Sequence, residues 1–175
     1  MWLARVPVPD CPVYVVHQML WGYYDVPPDE PRPFVYRVAP DHIVLLSRLK
    51  PRCDARELAI EAGRVYQFDA LLSPVNGYHH QGVSRCHVIT DNDERRRWLL
   101  KRFGGSVDLT FCQFYDREKL VFTRPGGERV TAARCIARGT LYVRDRQAFT
   151  DALLRGPGKA KAWGCGLVYL PEVMG

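Results

Sequence analysis

Three ring-bearing side chains near the start of the chain could support phosphodiester chemistry. Tyr14, His17 and Trp21 are spaced three and four residues apart, so they share one face if this segment is helical. A histidine gains and loses a proton near neutral pH, which suits cleavage of a phosphodiester without a metal ion. In such a reaction a 2′-hydroxyl attacks phosphorus, an acid protonates the departing 5′-oxygen, and Tyr14 could orient the phosphate. The alternative is a packed or surface histidine.

A second candidate for phosphate binding is a glycine-rich, basic loop late in the chain. Residues 156–166 include Gly158, Lys159, Lys161 and Trp163. Glycine allows positive φ and removes the Cβ that would hold a phosphate away, and lysine supplies charge. A nucleotide P-loop is excluded because no hydroxyl residue follows the lysine. We therefore expect a phosphate-bearing polymer, with Trp163 either stacked on a base or packed under the loop.

A predicted helix after residue 90 is strongly basic. Its candidate RNA-contacting residues are Arg95, Arg96, Arg97, Lys101 and Arg102. Consecutive residues of a helix point in different directions, so only some of them could contact one ligand. The alternative is a solvated face without a partner.

The cysteines and histidines lack the spacing of a metal site. None of the six cysteines forms a Cys-x-x-Cys pair, so structural zinc is not expected. His79 with His80 and Cys86 with His87 are adjacent pairs, and adjacent side chains of a strand point to opposite faces. We expect no metal ion, no cofactor, and free thiols in a reducing cytoplasm.

The composition indicates a folded, basic protein with an anionic partner. The 175 residues include 25 lysines and arginines against 19 aspartates and glutamates, a formal net charge of +6, and 47% are hydrophobic. This balance favours a polyanion, although a basic protein without such a partner is the alternative. We expect neither a signal peptide nor a membrane-spanning segment, because no apolar run is long enough.

The helices and strands that position these residues are predicted to form two copies of one α+β unit. The first unit covers residues 1–72 and has the order strand, helix, two strands, helix, strand, which is the ferredoxin-like arrangement. Its first helix carries Tyr14 and His17. The predicted segments are residues 2–8, 12–24, 34–38, 42–46, 54–62 and 64–72.

The same order is predicted again after a linker. Residues 73–84 are rich in turn residues and form the expected linker, and the second unit covers residues 85–175. Thr90 and Asp145 are the predicted helix caps of this unit. Its predicted strands are residues 85–89, 107–114, 130–143 and 167–170, with a turn at 126–127. The predicted fold class is therefore α+β, with tandem ferredoxin-like domains.

Four segments, taken in order, resemble one protein family. Tyr14–Trp21 resembles the catalytic helix of the CasE-type CRISPR repeat-processing endoribonucleases of type I-E systems, which belong to the RAMP superfamily. Phe34–Val38 follows at the spacing of that family. Trp98–Arg102 resembles its second-domain helix, and Gly156–Leu167 resembles its glycine-rich loop.

This resemblance implies metal-independent cleavage at the base of a CRISPR repeat hairpin. The products would carry a 2′,3′-cyclic phosphate and a 5′-hydroxyl. His17 stands at the family's catalytic position and Tyr14 at that of an assisting tyrosine. Enzymes of this family stay on the hairpin and become Cascade subunits. The implied partners are therefore repeat RNA, crRNA and other Cascade subunits in a bacterial cytoplasm, with no membrane.

Two other functions stay open at this point. A non-catalytic subunit of the same complex would bind the hairpin and would cleave it slowly or not at all. An unrelated basic ferredoxin-like protein would require the four matches to be coincidence. The chain is also shorter than most family members around the second helix of the first unit and the linker, which could alter the Cascade subunits it meets.

Overall fold

Two four-stranded antiparallel sheets and a separate two-stranded hairpin make up the β-structure. The structure, a computed structural model, describes residues 1–27, 30–80 and 82–175. The strands are β1 (Trp2–Pro7), β2 (Phe34–Val38), β3 (His42–Ser47), β4 (Ala55–Glu57), β5 (Val65–Leu72), β6 (Val75–His80), β7 (Val83–Val88), β8 (Val107–Thr123), β9 (Arg129–Val143) and β10 (Val168–Tyr169). The helices are α1 (Val13–Trp21), α2 (Asn92–Phe103), α3 (Arg146–Arg155) and α4 (Pro171–Met174), with a 3₁₀ turn at Lys161–Trp163.

The first sheet has the strand order β2-β3-β1-β4 of a ferredoxin-like unit, and α1 connects β1 to β2. The helix predicted over residues 54–62 is wrong, because this fully described stretch holds the strand β4 and no helix. Leu58 and Ile60 are buried at alternate positions, and the Leu58 amide donates to the Met1 carbonyl. Pairing and burial beside β1 therefore outweigh the helix propensity of these residues.

The second sheet has the strand order β10-β5-β9-β8, which is again ferredoxin-like. The strands that form it differ from those predicted. We expected β5 to complete the first sheet, and this expectation is wrong. It pairs with β9, from Val65 opposite Tyr142 to Leu72 opposite Cys135. The free edge of β1 is occupied by β4 instead. Alternation in a sequence indicates which face of a strand is buried and not which strand lies beside it.

A β-hairpin stands where a linker and a first strand were predicted. β6 and β7 pair with each other from Val75 opposite Val88 onward. Residues 85–89 therefore do not start the second sheet, and that prediction is wrong. The two sheets divide between residues 57 and 65, earlier than the predicted boundary at residue 72. Gln81, in the predicted linker, lies outside the described residues.

The α+β class and the tandem ferredoxin-like organisation are confirmed by the two sheets and their helices. Asp145 caps α3 as predicted, and its carboxylate accepts from the Ala148 amide at 3.0 Å. The cap of α2 is Asp91 rather than Thr90, since the Asp91 carboxylate accepts from the Glu94 amide at 2.8 Å.

The first sheet is buried on both faces. One face packs with Val16 and Leu20 of α1 in a core of its own. The other face contributes to the core of the second sheet through Leu3, Val35, Val44 and Leu46. Burial on both faces explains the consecutive apolar residues at 34–36 in β2 and at 43–46 in β3.

Candidate active site

A cleft of about 400 Å³ lies where α1, the 3₁₀ turn and the tip of the β8–β9 hairpin meet. It contains three of the predicted site residues: Tyr14 and His17 of α1, and Trp163, which lies far from them in sequence. The lining residues are Tyr14, His17, Gln18, Arg124, Pro125, Ala162 and Trp163.

Helix α1 holds His17 at the edge of the first core. Val16 and Leu20 of the same helix are buried under the first sheet. The His17 ring packs edge-on against Trp21, with 6.3 Å between ring centres, and lies 5.9 Å from the Phe34 ring. These contacts hold the half-buried imidazole in place beside the cleft.

Burial and a nearby positive charge control the protonation of His17. Its pKa lies below the ordinary value of 6.5, first because burial penalises the imidazolium and second because of the Arg32 guanidinium. His17 is therefore mostly neutral near pH 7. A neutral imidazole beside a cleft can accept a proton, which is the task of a general base.

Tyr14 is held by a hairpin tip that reaches across from the second sheet. Its ring stacks on Phe122 at 6.1 Å with an interplanar angle of 20°. Phe122 in turn packs edge-on against Trp163 at 5.4 Å, and the Arg124 guanidinium lies 5.6 Å from the centre of the Trp163 ring. One row of aromatic side chains thus joins α1, the hairpin and the glycine-rich loop.

Phe122 and Arg124 were not predicted as site residues, because the predicted strand ends at residue 114, whereas β8 continues to Thr123 and Arg124 follows it. The charged stretch Asp116–Lys119 interrupts the apolar alternation and hides the second half of the strand. A usable signal was present, however. The turn at residues 126–127 and the long strand at residues 130–143 are both predicted. A strand of matching length on the other side of this turn has to continue to residue 123, where it pairs with β9.

The glycine-rich loop packs closely against the protein itself. Gly158 has a φ of +87°, and a Cβ at this position would lie 2.9 Å from the Ser73 carbonyl oxygen and 3.0 Å from the Trp98 ring. The Tyr36 hydroxyl donates to the Ala162 carbonyl at 2.6 Å and ties the loop to the first sheet. Burial raises the pKa of Tyr36, so the hydroxyl keeps the proton that this bond needs.

The two loop lysines lie in different surroundings. Lys161 is half-buried, and its ammonium donates to the Arg155 carbonyl near the end of α3 at 3.1 Å. The pKa of Lys161 is lowered, first by burial and then by three nearby arginines. Lys159 is exposed and contacts the Cys86 sulfur of β7 at 2.7 Å. Lys159 is therefore the better placed of the two for an external anion.

Arg95 of α2 is a structural residue. It is only 4% exposed, and its guanidinium donates to the Ile89 carbonyl, the Asn92 side chain and the Asp116 carboxylate. A charge buried with this many partners holds α2 to its neighbours. The burial argues against the RNA contact predicted for Arg95.

The other basic residues of α2 face outward to different degrees. Arg96 is half-buried and donates to the Leu109 carbonyl. Arg97, Lys101 and Arg102 are exposed, and the Arg102 guanidinium lies 5.5 Å from the centre of the Trp98 ring. That ring also contacts the glycine-rich loop, so Arg102 lies near the loop. We call Arg97, Lys101, Arg102 and Lys159 the basic surface.

The described part of the chain holds neither a cluster of metal ligands nor a membrane-spanning helix. No three His, Cys, Asp or Glu side chains there are grouped so as to hold a metal ion. The six cysteines are free thiols, and the side chains of His79 and His80 lie outside the description. Within the same residues, every helix is too short or too polar to traverse a bilayer.

Comparison with known sequences identifies a protein family and a curated relative. The family described as "CRISPR associated protein" matches residues 10–171. The CRISPR system Cascade subunit CasE of Escherichia coli K12 is 24% identical over 182 residues, which cover 90% of this chain and 91% of that protein.

Solved structures share the fold over almost the entire chain. Cas6e from Escherichia coli K-12 superposes with a TM-score of 0.76 at 20% identity, covering 97% of this chain and 98% of that one. The CRISPR endoribonuclease Cse3 bound to a 19-nucleotide RNA gives 0.77 at 21% identity, covering 97% and 99%. Cse3 of Thermus thermophilus bound to an RNA representing a pre-cleavage complex gives 0.73 at 19% identity, covering 97% and 98%.

Proposed function

The chain belongs to the CRISPR associated protein family, and from this premise we propose that it is an endoribonuclease that cleaves CRISPR repeat RNA at the base of a hairpin. The observation that carries the proposal is the cleft in which a neutral, half-buried His17 stands beside Tyr14. The names of the relatives support it, since one is a Cascade subunit, one is a CRISPR endoribonuclease bound to RNA, and one is bound to an RNA representing a pre-cleavage complex.

The proposed reaction uses protein side chains alone. His17 takes the proton of the 2′-hydroxyl, whose oxygen attacks the neighbouring phosphorus. The bond from phosphorus to the 5′-oxygen breaks, and that oxygen gains the proton that His17 has taken, which leaves a 2′,3′-cyclic phosphate and a 5′-hydroxyl. The Tyr14 hydroxyl orients the phosphate. The step needs no metal ion because a positioned acid–base group supplies the proton transfer.

The basic surface is proposed to hold the hairpin before and after cleavage. Phosphate contacts dominate the affinity of such complexes, and an RNA stem is held mainly through its backbone. The exposed cations of the basic surface suit this task better than Arg95 or Lys161, whose charges serve contacts inside the protein. Retention of the cut hairpin would make the protein a subunit of Cascade, acting in the bacterial cytoplasm.

Single-turnover cleavage of synthetic repeat hairpins in excess EDTA tests the reaction. We expect wild type to cut once at the base of the stem and His17→Ala to be slower by about 10²–10⁴-fold. His42→Ala is the matched control, since His42 bonds to Asp41 away from the cleft. Equal rates for wild type and His17→Ala would contradict the proposal. Tight binding without cleavage by wild type would instead indicate the non-catalytic hairpin-binding subunit.

Measuring hairpin binding as well as cleavage separates the affinity for RNA from the catalytic rate. We expect Lys159→Ala to weaken hairpin binding and to reduce the slope of log affinity against log salt by roughly one unit. His17→Ala should leave both quantities near wild type, because a neutral residue makes no ionic contact with phosphate. No preference for hairpin over scrambled RNA would contradict the CRISPR repeat as substrate.

A further inference from the structure

Lys159 of the glycine-rich loop and Cys86 of β7 make a contact that the proposed reaction does not use. The Lys159 side-chain nitrogen donates to the Cys86 sulfur at 2.7 Å, although the two residues are 73 positions apart in the chain. Both side chains are exposed. A lysine nitrogen therefore lies in direct contact with an oxidisable sulfur at a place that small molecules in solvent can reach.

The main chain on each side holds the two residues near each other. Cys86 pairs across the β6–β7 hairpin with Gly77, so the position opposite the thiol carries no side chain that would cover it. Lys159 follows Gly158, whose φ of +87° and close approach to the Ser73 carbonyl fix the path of the loop at this point. The contact therefore joins two segments whose backbones are defined by their own pairing and packing.

The other five cysteines are less accessible than Cys86. Three of them are half-buried and two are buried. Burial raises the pKa of Cys112 and of Cys135 to about 11 and that of Cys165 to about 12, so these thiols stay protonated at neutral pH. Oxidants attack the thiolate, and reactive thiols lie in exposed surroundings beside cations. Cys86 is the thiol of this chain that meets both conditions.

We propose that Cys86 and Lys159 form a reversible, peroxide-sensitive link between β7 and the glycine-rich loop. The Cys86 sulfur attacks one oxygen of a peroxide and is oxidised to a sulfenic acid, while the oxygen–oxygen bond breaks and the other oxygen takes the thiol proton and leaves as water. The Lys159 amine, after giving its extra proton to solvent, attacks that sulfur. A sulfur–nitrogen bond forms, the sulfur–oxygen bond breaks, and the hydroxyl leaves as water with a proton from the nitrogen.

The link removes one positive charge from the basic surface. A nitrogen bonded to sulfur is far less basic than a free lysine amine, so the linked Lys159 no longer presents an ammonium to phosphate. This consequence rests on the proposed function, in which Lys159 contacts the hairpin. Oxidation should therefore weaken hairpin binding. A dithiol reductant should restore binding, because its thiolate attacks the linked sulfur, releases the amine and then the Cys86 thiol, and is itself oxidised to a disulfide.

Peptide mapping by mass spectrometry tests the link on protein treated with hydrogen peroxide in the absence of RNA. We expect a cross-linked pair of peptides that joins Cys86 to Lys159, is lighter by a pair of hydrogen atoms than the separate peptides, and is lost on treatment with dithiothreitol. Cys86→Ser and Lys159→Arg should not form it. Cys11→Ser, which changes a half-buried thiol, is the matched control and should form it as wild type does. Oxidation of Cys86 without this cross-link would overturn the inference.

Hairpin binding before and after oxidation tests the consequence for RNA. We expect peroxide to reduce the slope of log affinity against log salt by roughly one unit in wild type, to the value of untreated Lys159→Ala, and dithiothreitol to restore it. Cys86→Ser and Lys159→Arg keep the positive charge in peroxide and should bind equally before and after. An unchanged slope for the cross-linked wild type would refute the switch. If reduced wild type failed to bind the hairpin, the proposed function would be wrong, and peptide mapping would still decide whether the link forms.

Discussion

At the scale of single residues, surroundings decide what each titratable side chain can do. His17 and Lys161 are both half-buried and both have a lowered pKa, yet one lines the cleft and the other bonds to a main-chain carbonyl. Arg95 and Arg97 are near neighbours on one helix, but only Arg97 is exposed. Residue type indicates which chemistry is available, and burial with bonding partners indicates which of it is free for a ligand.

The pH dependence of cleavage should report the surroundings of His17. A general base must be neutral, so kcat/KM should fall on the acid side with a midpoint below pH 6.5, because burial and Arg32 disfavour the imidazolium. Arg32→Gln removes one of these two causes and should move the midpoint to higher pH. The measurement is the pH profile of single-turnover kcat/KM.

Arg48→Gln is the control for this shift. Arg48 lines the same surface groove as Arg32 and is more exposed, and it is not among the groups that lower the pKa of His17. It should leave the midpoint unchanged. A profile that is identical for wild type and Arg32→Gln would show that the acid limb does not belong to His17.

At the scale of elements, the positions of several strands and one helix cap were predictable, whereas the pairing between strands was not. The strands over residues 34–38 and 42–46 and the Asp145 cap follow from apolar runs and capping rules, and all three are present. The placement of β5 in the second sheet depends on β4 already occupying β1, which no local pattern contains. The same holds for the cleft. Its residues from α1 were predictable, whereas the position of the hairpin tip depends on the pairing of β8 with β9, which are far from α1 in sequence.

The glycine-rich loop offers a test of what its glycines do. Gly158→Ala should lower the free energy of unfolding by about 2–4 kcal/mol, because a positive φ strains alanine and the new Cβ overpacks the Ser73 carbonyl and the Trp98 ring. Gly63→Ala has a similar φ of +79° with nothing within 4 Å, so it isolates the backbone strain, about 1–2 kcal/mol. Urea unfolding measures both. Equal losses for the two variants would mean that the loop is not packed as described.

At the scale of the whole molecule, the two ferredoxin-like units are joined by shared packing. Four apolar residues of the first sheet lie in the core of the second. The short helix α4 adds polar bonds to both sides: Arg5 donates to the Met174 carbonyl and Arg56 to the Val173 carbonyl, while Glu172 accepts from the Gln67 amide. The cleft depends on this union, because His17 comes from the first unit and Arg124 from the second.

The shared core predicts that the two sheets unfold as one cooperative unit. Leu46 belongs to the first sheet, is fully buried, and packs in the core of the second, so Leu46→Ala should cost about 2–5 kcal/mol. Native-state hydrogen exchange should then show equal losses of protection for the slowest amides of β3 and β9. Leu49→Ala makes the same chemical change at a residue that is 44% exposed and should alter neither. If β9 kept its protection while β3 lost it, the units would be independent, and the cleft between them would have to be assembled by the RNA rather than by the fold.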